Sequence, residues 1–214
     1  MTTQLLVIRH GETAWNAEHR IQGHLDIPLS ATGLRQAAQL AERLAGEGVG
    51  VDAVYSSELA RAWLTALPLA ERLGLEVIPE RRLRERSFGI FEGLTLDEIA
   101  ARHSESFRLW RGRDPLWAME GGETGQQLID RVLEALHDIA GRHRGQTVAI
   151  VTHGGVLDVA YRAARALDWD APREHQMLNA SINRVRVTFS PPALAMVDWG
   201  DVAHLAESRD ETLT

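Results

Sequence analysis

Cysteine is absent from this chain, and its absence removes several kinds of chemistry at once. The chain can form no disulfide, no thiolate metal site and no cysteine nucleophile. No run of residues is apolar for the length that a membrane-spanning helix needs, and no positive segment leads into a long apolar run at the amino terminus. We therefore expect an unprocessed cytoplasmic protein that does not bind a membrane.

Positive charge is also scarce. The chain has 23 basic residues against 30 acidic residues, which gives a formal net charge of -7. Binding to a nucleic-acid backbone requires several clustered cations, so this balance argues against a nucleic-acid partner. A small phosphorylated metabolite remains a possible ligand, because it needs only a few positive groups in one pocket.

Short apolar runs alternate along the chain with segments of helical periodicity. The apolar runs predict strands at residues 5–8, 51–55, 75–78 and 148–151. The periodic segments predict helices at residues 31–48, 58–73 and 123–144, the first with Leu34, Ala38, Ala41 and Leu44 on one face. This alternation predicts an α/β fold, a three-layer sandwich whose mostly parallel central sheet has helices on both faces.

The length of 214 residues predicts a single domain over residues 1–214. Residues 81–122 are rich in glycine and large apolar residues, and we expect short helices and loops there that lie over the sheet edge. Residues 181–189 and 194–199 predict a closing hairpin, and residues 201–214 a polar tail. The hairpin is either an exposed edge or a homodimer contact, and the sequence leaves the oligomeric state open.

Two histidines follow two of the predicted strands. Arg9 and His10 come directly after residues 5–8, and His153 follows residues 148–151. Ligands of open α/β sheets bind at the carboxyl ends of the strands, so both histidines are expected in one site. Taken alone, the Arg9-His10 pair would more often be read as a simple strand end.

An ordered series of motifs extends the pattern. It comprises Arg9-His10-Gly11-Glu12-Thr13, Gln22-Gly23, Ser56-Ser57 with Arg61, Glu85 with Glu92-Gly93, Thr152-His153-Gly154-Gly155, and Asn179 with Ser181-Ile182-Asn183. In this series the chain resembles the histidine phosphatase superfamily, which includes broad phosphatases and cofactor-dependent phosphoglycerate mutases. The resemblance covers nearly the whole chain and implies the phosphoglycerate mutase-like fold.

The resemblance also implies roles for the residues. His10 would attack phosphorus as a neutral imidazole, while Arg9, Arg61 and a protonated His153 would bind the phosphoryl oxygens. The phosphate-binding set implied by the resemblance is Thr13, Asn16, Gln22, Gly23 and Gly154. No metal site and no cofactor are expected.

Glu85 is the residue expected to act as general acid and base. In the resemblance it protonates the departing alkoxide and then activates water. Its local sequence favours another interpretation, a solvated glutamate paired with the arginines of residues 81–86. By the same local argument Arg61 would be a solvated helix arginine.

Phosphatases and mutases of this superfamily form the same phosphohistidine. They differ in the segment between the acid glutamate and the second histidine, which is the interval between Glu85 and His153 in this chain. That interval is short and lacks the basic substrate segment of the mutases, so we favour a metal-independent phosphomonoester hydrolase. The alternatives are a 2,3-bisphosphoglycerate-dependent phosphoglycerate mutase and, less favoured, a non-catalytic phospholigand-binding protein. Within the same interval, Trp110 and Trp117 predict core packing, with a substrate lid as the alternative.

Overall fold

The computed structural model describes residues 1–46, 48 and 50–210. Six strands form one mixed sheet in the order β3-β2-β4-β1-β5-β6. The strands are β1 (Thr3–Arg9), β2 (Ala53–Ser56), β3 (Val77–Pro79), β4 (Thr147–Thr152), β5 (Ile182–Phe189) and β6 (Pro192–Asp201). Strands β1 to β4 pair in parallel, and β5 and β6 add an antiparallel edge. The predicted fold class and the closing hairpin are confirmed.

Seven α-helices surround this sheet in the described part of the chain. They are α1 (Ala14–Ala17), α2 (Ala31–Gly46), α3 (Ala60–Leu73), α4 (Leu96–Arg102), α5 (Ser104–Arg111), α6 (Gly125–Arg142) and α7 (Gly154–Arg165). Helices α2 and α3 cover one face of the sheet, and α6 and α7 cover the other. No helix among the described residues has the length and apolar character needed to cross a bilayer.

The alternation of side chains in β1 joins these layers into one core. Leu5 and Val7 pack toward α6 and α7, whereas Leu6 and Ile8 pack toward α2 and α3. All four side chains are fully buried, because helices cover both faces of the parallel region. The strand that carries the first predicted histidine therefore lies in the most enclosed part of the sheet.

The predicted inner face of α2 is partly wrong. Leu34 is 53% exposed and Ala38 is also exposed, while Gly33 and Gln36 face inward. The reason is local: the amide N–H of Glu12 donates a hydrogen bond of 2.8 Å to the Gln36 Oε1 atom, which brings a polar side chain into the buried stripe. The helix ends at Gly46, and Glu47 of the predicted span lies outside the described residues.

The irregular segment contains two 3-10 turns, Arg81–Leu83 and Gly89–Phe91, followed by α4 and α5. It has a small apolar core of its own, in which Phe91 is fully buried. Helix α6 begins two residues later than predicted, because Thr124 forms its N-cap with Gln127 in a capping box. The segment therefore stands beside the sheet edge as a packed layer.

The predicted polar tail begins inside β6, where Asp201 pairs with Ile182. Beyond the strand the chain returns to the sheet edge. There the Ser208 hydroxyl donates a hydrogen bond of 2.6 Å to the carbonyl of Asn179, and Arg209 forms an ion pair with Glu12. Residues 211–214 of the predicted tail lie outside the described residues.

Candidate active site

The carboxyl ends of β1 and β4 bring the two predicted histidines together. The ring centroids of His10 and His153 are 5.2 Å apart, and both side chains are buried. The pairing of the two strands continues one residue past β1, since the amide N–H of His10 donates to the carbonyl of Thr152 over 2.9 Å. The backbone ladder therefore fixes the separation of the rings.

One hydrogen bond selects the tautomer of His10. The Nδ1 atom lies 2.7 Å from the carbonyl oxygen of Gly11. A carbonyl can only accept, so Nδ1 carries the proton and donates. In the neutral ring the lone pair is then on Nε2, which is the atom available for nucleophilic attack.

Burial keeps the His10 ring neutral. It lowers the pKa of His10 well below the ordinary value of 6.5, and the charges of Arg61 and Arg9 lower it further. The His10 ring is therefore a neutral imidazole at neutral pH, with Nε2 unprotonated, which is the state required of a nucleophile.

His153 differs from the sequence expectation of a protonated ring. Burial, followed by the charge of Arg61, also lowers the pKa of His153 well below 6.5, so the ring is neutral at pH 7. Its Nε2 atom lies 2.9 Å from the hydroxyl of Ser57. Its Nδ1 atom is buried and has no hydrogen-bond partner among the described residues.

Two fully buried arginines complete the positive side of the site. Arg61, in the first turn of α3, donates to the carbonyls of Leu25 and Gly23 over 2.9 and 2.7 Å. Arg9 donates to the carbonyl of Met177 over 2.5 Å and to that of Arg209 over 3.3 Å. Backbone carbonyls thus fix the orientation of both guanidinium groups, and Arg61 is not the solvated helix residue that its local sequence favours.

Glu85 is buried and directed at the amino terminus of α7. Its two carboxylate oxygens accept from the amide N–H of Gly155 over 3.1 and 3.2 Å, two residues after His153. Among the neighbouring arginines, Arg82 pairs with Glu80 and Asp138 and Arg84 with Glu58, while Arg86 donates its backbone amide N–H to Glu85 Oε1, over 2.7 Å. The interpretation of Glu85 as a solvated member of this charged run is therefore wrong.

The backbone that carries Glu85 is held by Arg131 on α6. The Arg131 guanidinium donates to the carbonyls of Arg82, Arg84 and Glu85 over 2.7 to 2.9 Å. It also forms an ion pair of 2.6 Å with Glu123. Arg131 is a positioning residue that sequence reasoning missed, because nothing in the sequence distinguishes it from Arg142 on the same helix.

The predicted phosphate-binding residues occupy three kinds of position. Thr13 and Asn16 bind each other in the capping box of α1, so the Thr13 hydroxyl serves as a cap. Gln22 and Gly23 lie in the loop that faces Arg61, where the buried Gln22 Oε1 atom has no hydrogen-bond partner among the described residues. Gly154 is the first residue of α7, at the positive end of the helix.

With this geometry established, comparison with known proteins identifies the family. Residues 5–201 match the model of the histidine phosphatase superfamily, branch 1. The chain belongs to this superfamily. The histidine phosphatase match thus spans the sheet and the strand ends that carry the two histidines, and it confirms the family resemblance of the motif series.

Individual relatives within the histidine phosphatases give further detail. The chain is 41% identical to phosphoglycerate mutase-like protein 4 of Arabidopsis thaliana, over 96% of this chain and 88% of the relative. It is 40% identical to the metal-independent phosphoserine phosphatase of the same plant, over 95% and 84% of the two chains. A mycobacterial glucosyl-3-phosphoglycerate phosphatase solved with VO3 superposes with a TM-score of 0.80 at 31% identity, over 92% and 98%. The predicted class, a phosphomonoester hydrolase, is confirmed.

Two further residues of this histidine phosphatase bind the strand ends and were not assigned a role from sequence. Ser57 contacts His153, and the side-chain amide of Asn179 donates to the carbonyl of His10 over 3.0 Å. Both belong to motifs of the ordered series, so the family pattern contained the signal. Among residues 1–46, 48 and 50–210, no group of three or more histidine, aspartate or glutamate side chains is arranged to hold a metal ion.

Proposed function

We propose that this protein hydrolyses phosphate monoesters through a phosphohistidine formed on the Nε2 atom of His10. The observation that carries the proposal is the hydrogen bond from His10 Nδ1 to the Gly11 carbonyl, which leaves the lone pair on Nε2. The lowered pKa of His10 supports the same role, since the ring is neutral over the physiological range.

In the first step the Nε2 lone pair attacks phosphorus and the bond from phosphorus to the ester oxygen breaks. The bonding electrons remain on the departing oxygen, and a protonated Glu85 supplies the proton that makes it an alcohol. Arg9 and Arg61 stabilise the negative charge on the phosphoryl oxygens. A bound phosphoryl dianion would also raise the pKa of His153, so that this ring becomes a charged donor during the reaction.

In the second step water attacks the phosphorus of the phosphohistidine. Glu85, now a carboxylate, takes a proton from this water, and the bond from phosphorus to nitrogen breaks. The electron pair returns to Nε2, and inorganic phosphate leaves. No metal ion is needed in either step, because the arginines supply the positive charge.

Isomerase activity is the alternative to be tested, since a relative is named a phosphoglycerate mutase-like protein. We expect the purified protein to release phosphate from p-nitrophenyl phosphate and from 3-phosphoglycerate in EDTA. The 3-phosphoglycerate reaction should be followed with and without 2,3-bisphosphoglycerate, measuring free phosphate and 2-phosphoglycerate. Formation of 2-phosphoglycerate that depends on the bisphosphate and exceeds phosphate release would overturn hydrolysis, and loss of activity in EDTA would overturn the metal-independent mechanism.

Substitution Glu85→Gln tests the proton-transfer step. Glutamine keeps an oxygen for the Gly155 amide but cannot donate or accept the catalytic proton, so kcat should fall by about 10² to 10⁴. The rate of the first step should fall less for p-nitrophenyl phosphate than for 3-phosphoglycerate, because the p-nitrophenolate leaving group needs little protonation. Rapid mixing should therefore show a burst of p-nitrophenol of one equivalent, followed by slow turnover.

A general loss of structure would give a different result for Glu85→Gln. It would remove the burst and lower the melting temperature along with kcat. Equal kcat values for Glu85→Gln and the parent protein, on both p-nitrophenyl phosphate and 3-phosphoglycerate, would contradict the role of Glu85 as acid and base.

A further inference from the structure

A cavity of about 350 Å³ opens beside Glu85. Glu85 and Gly155 line it, together with residues from distant parts of the chain. Its volume is within the range of pockets that hold small organic ligands. Glu85 is proposed to protonate the ester oxygen, so the alcohol part of the substrate lies next to the Glu85 carboxylate. We therefore place the alcohol part in this cavity, which Glu85 lines.

Aromatic side chains form one wall of this cavity. Trp110 and Trp117 come from the irregular segment, and Trp169 from the loop after α7. Trp110 lies edge-on to Phe88 with ring centroids 6.1 Å apart. Trp169 packs on α6 so closely that a Cβ atom on Gly125 would lie 2.8 Å from the indole. These fixed rings offer flat apolar surfaces to a ligand.

Arginines also line the cavity. The chain has no lysine, so all 23 basic residues are arginines, and Arg86, Arg111, Arg113 and Arg173 line the cavity. Three acidic residues, Glu85, Asp114 and Asp158, line it as well. Asp158 binds Arg162 and His175 over 3.0 and 3.1 Å and forms a longer ion pair of 3.5 Å with Arg113. The cavity therefore has an excess of positive charge.

The positions of Arg111 and Arg113 are suited to binding an anion. Arg113 is held in place, since its Nε atom donates to the Trp169 carbonyl over 3.1 Å and its guanidinium lies 5.6 Å from the Trp169 ring centre. Arg111 is exposed and has no hydrogen bond or ion pair among the described residues. Burial lowers the pKa of Arg113. The charge of Arg162 lowers it further and that of Asp158 raises it, and the more distant charges of Arg173 and Arg111 also lower it. An anionic group of a ligand would relieve this repulsion.

We propose that this cavity selects phosphate monoesters whose alcohol part has a flat apolar body and a second anionic group bound by Arg111 and Arg113. The inference rests on the proposed hydrolysis, since it places the alcohol part next to Glu85. A small ester such as phosphoserine would leave much of the aromatic wall without contact. The second anion is a carboxylate or a phosphate, since guanidinium groups bind both in the same forked geometry.

The test compares aryl phosphates of similar size. The substrates are 4-carboxyphenyl phosphate, its neutral methyl ester, 1,4-phenylene bisphosphate and phosphoserine. We expect kcat/KM for the better of the two anionic aryl esters to exceed that for the methyl ester by about tenfold, mostly through KM. The better of the two identifies the second anion as carboxylate or phosphate. Phosphoserine should be the poorer substrate by at least the same factor.

Substitutions Arg111→Gln and Arg113→Gln should each lower the ratio of kcat/KM for the anionic aryl ester to kcat/KM for the neutral methyl ester toward one. Arg111 is exposed, so its replacement is not expected to affect folding even if that of Arg113 does. Arg108→Gln is the matched control, because Arg108 lies on the same helix and pairs with Glu105 away from the cavity. It should leave the ratio unchanged.

The possible failures are distinguishable. Hydrolysis of none of the four esters would contradict the proposed function itself. Hydrolysis without preference for the anionic aryl esters, or a preference that survives both arginine substitutions, would overturn the assignment of the cavity. A preference for phosphoserine over every aryl ester would do the same.

Discussion

Substitution His10→Gln is expected to lower kcat for every phosphate ester by about a thousandfold or more, since the side chain loses its nucleophilic nitrogen. Glutamine is close to histidine in length and polarity, and the strand end is fixed by the backbone hydrogen bond to Thr152. The fold should therefore persist, and the melting temperature reports on it. Samples of the parent protein with ³²P-labelled substrate, quenched in alkaline detergent, should contain a base-stable, acid-labile phosphoprotein that the variant lacks.

His137→Gln is the matched control for this loss. The Nδ1 atom of His137 also contacts a backbone carbonyl, that of Leu133 over 2.9 Å, but the residue lies on α6 away from the strand ends. Its replacement should leave kcat and labelling unchanged. Labelled protein that persists in His10→Gln would show that another residue forms the intermediate and would contradict the mechanism.

Substitution Gly33→Ala is expected to lower the stability of the protein strongly. A Cβ atom on Gly33 would lie 2.0 Å from the carbonyl oxygen of Glu12, and one on Gly11 would lie 2.6 Å from the carbonyl oxygen of Gly33. Both neighbours are backbone atoms, so the clash can be relieved only by moving α2 away from the chain next to His10. We expect the free energy of unfolding to fall by about 3 kcal/mol, measured by urea denaturation.

Gly141→Ala is the control with the opposite sign. Gly141 is also helical, but a Cβ atom there meets nothing within 4 Å. The same change should stabilise the protein by about 0.5–1 kcal/mol through helix propensity. Should Gly33→Ala prove as stable as the parent protein, the close contact between α2 and the His10 loop would be disproved. The kcat of Gly33→Ala should fall as well, since the displaced loop carries His10, the proposed nucleophile.

The layers of the fold could be predicted because strands buried on both faces are continuous apolar runs. Residues 5–8 and 148–151 are such runs, and both proved to be central strands. The inner face of α2 could not be predicted correctly from apolar periodicity. Gly33 and Gln36 face inward there because of contacts with the distant Glu12, and no helical pattern contains that information.

The candidate site was predictable to different degrees. His10 and His153 stand at strand ends, so topology alone places them together. Only the family pattern predicted a role for Glu85 in the site. Its local sequence could not, because Glu85 is held by the amide of Gly155, which is 70 positions away in the chain. The aromatic and arginine cavity was not predictable, because Trp110 and Trp169 come from segments that meet only in the folded chain.

The hydrogen bond between Arg9 and the Arg209 carbonyl has a consequence for the order of synthesis. The two residues are 200 positions apart, so at about 5–20 residues per second Arg209 is made about 10 to 40 s after Arg9. The proposed nucleophile His10 and its neighbour Arg9 are thus synthesised about 200 residues before a partner that holds this arginine in place. The anion-binding centre of a nascent chain is completed late, after most of the sheet can already have formed.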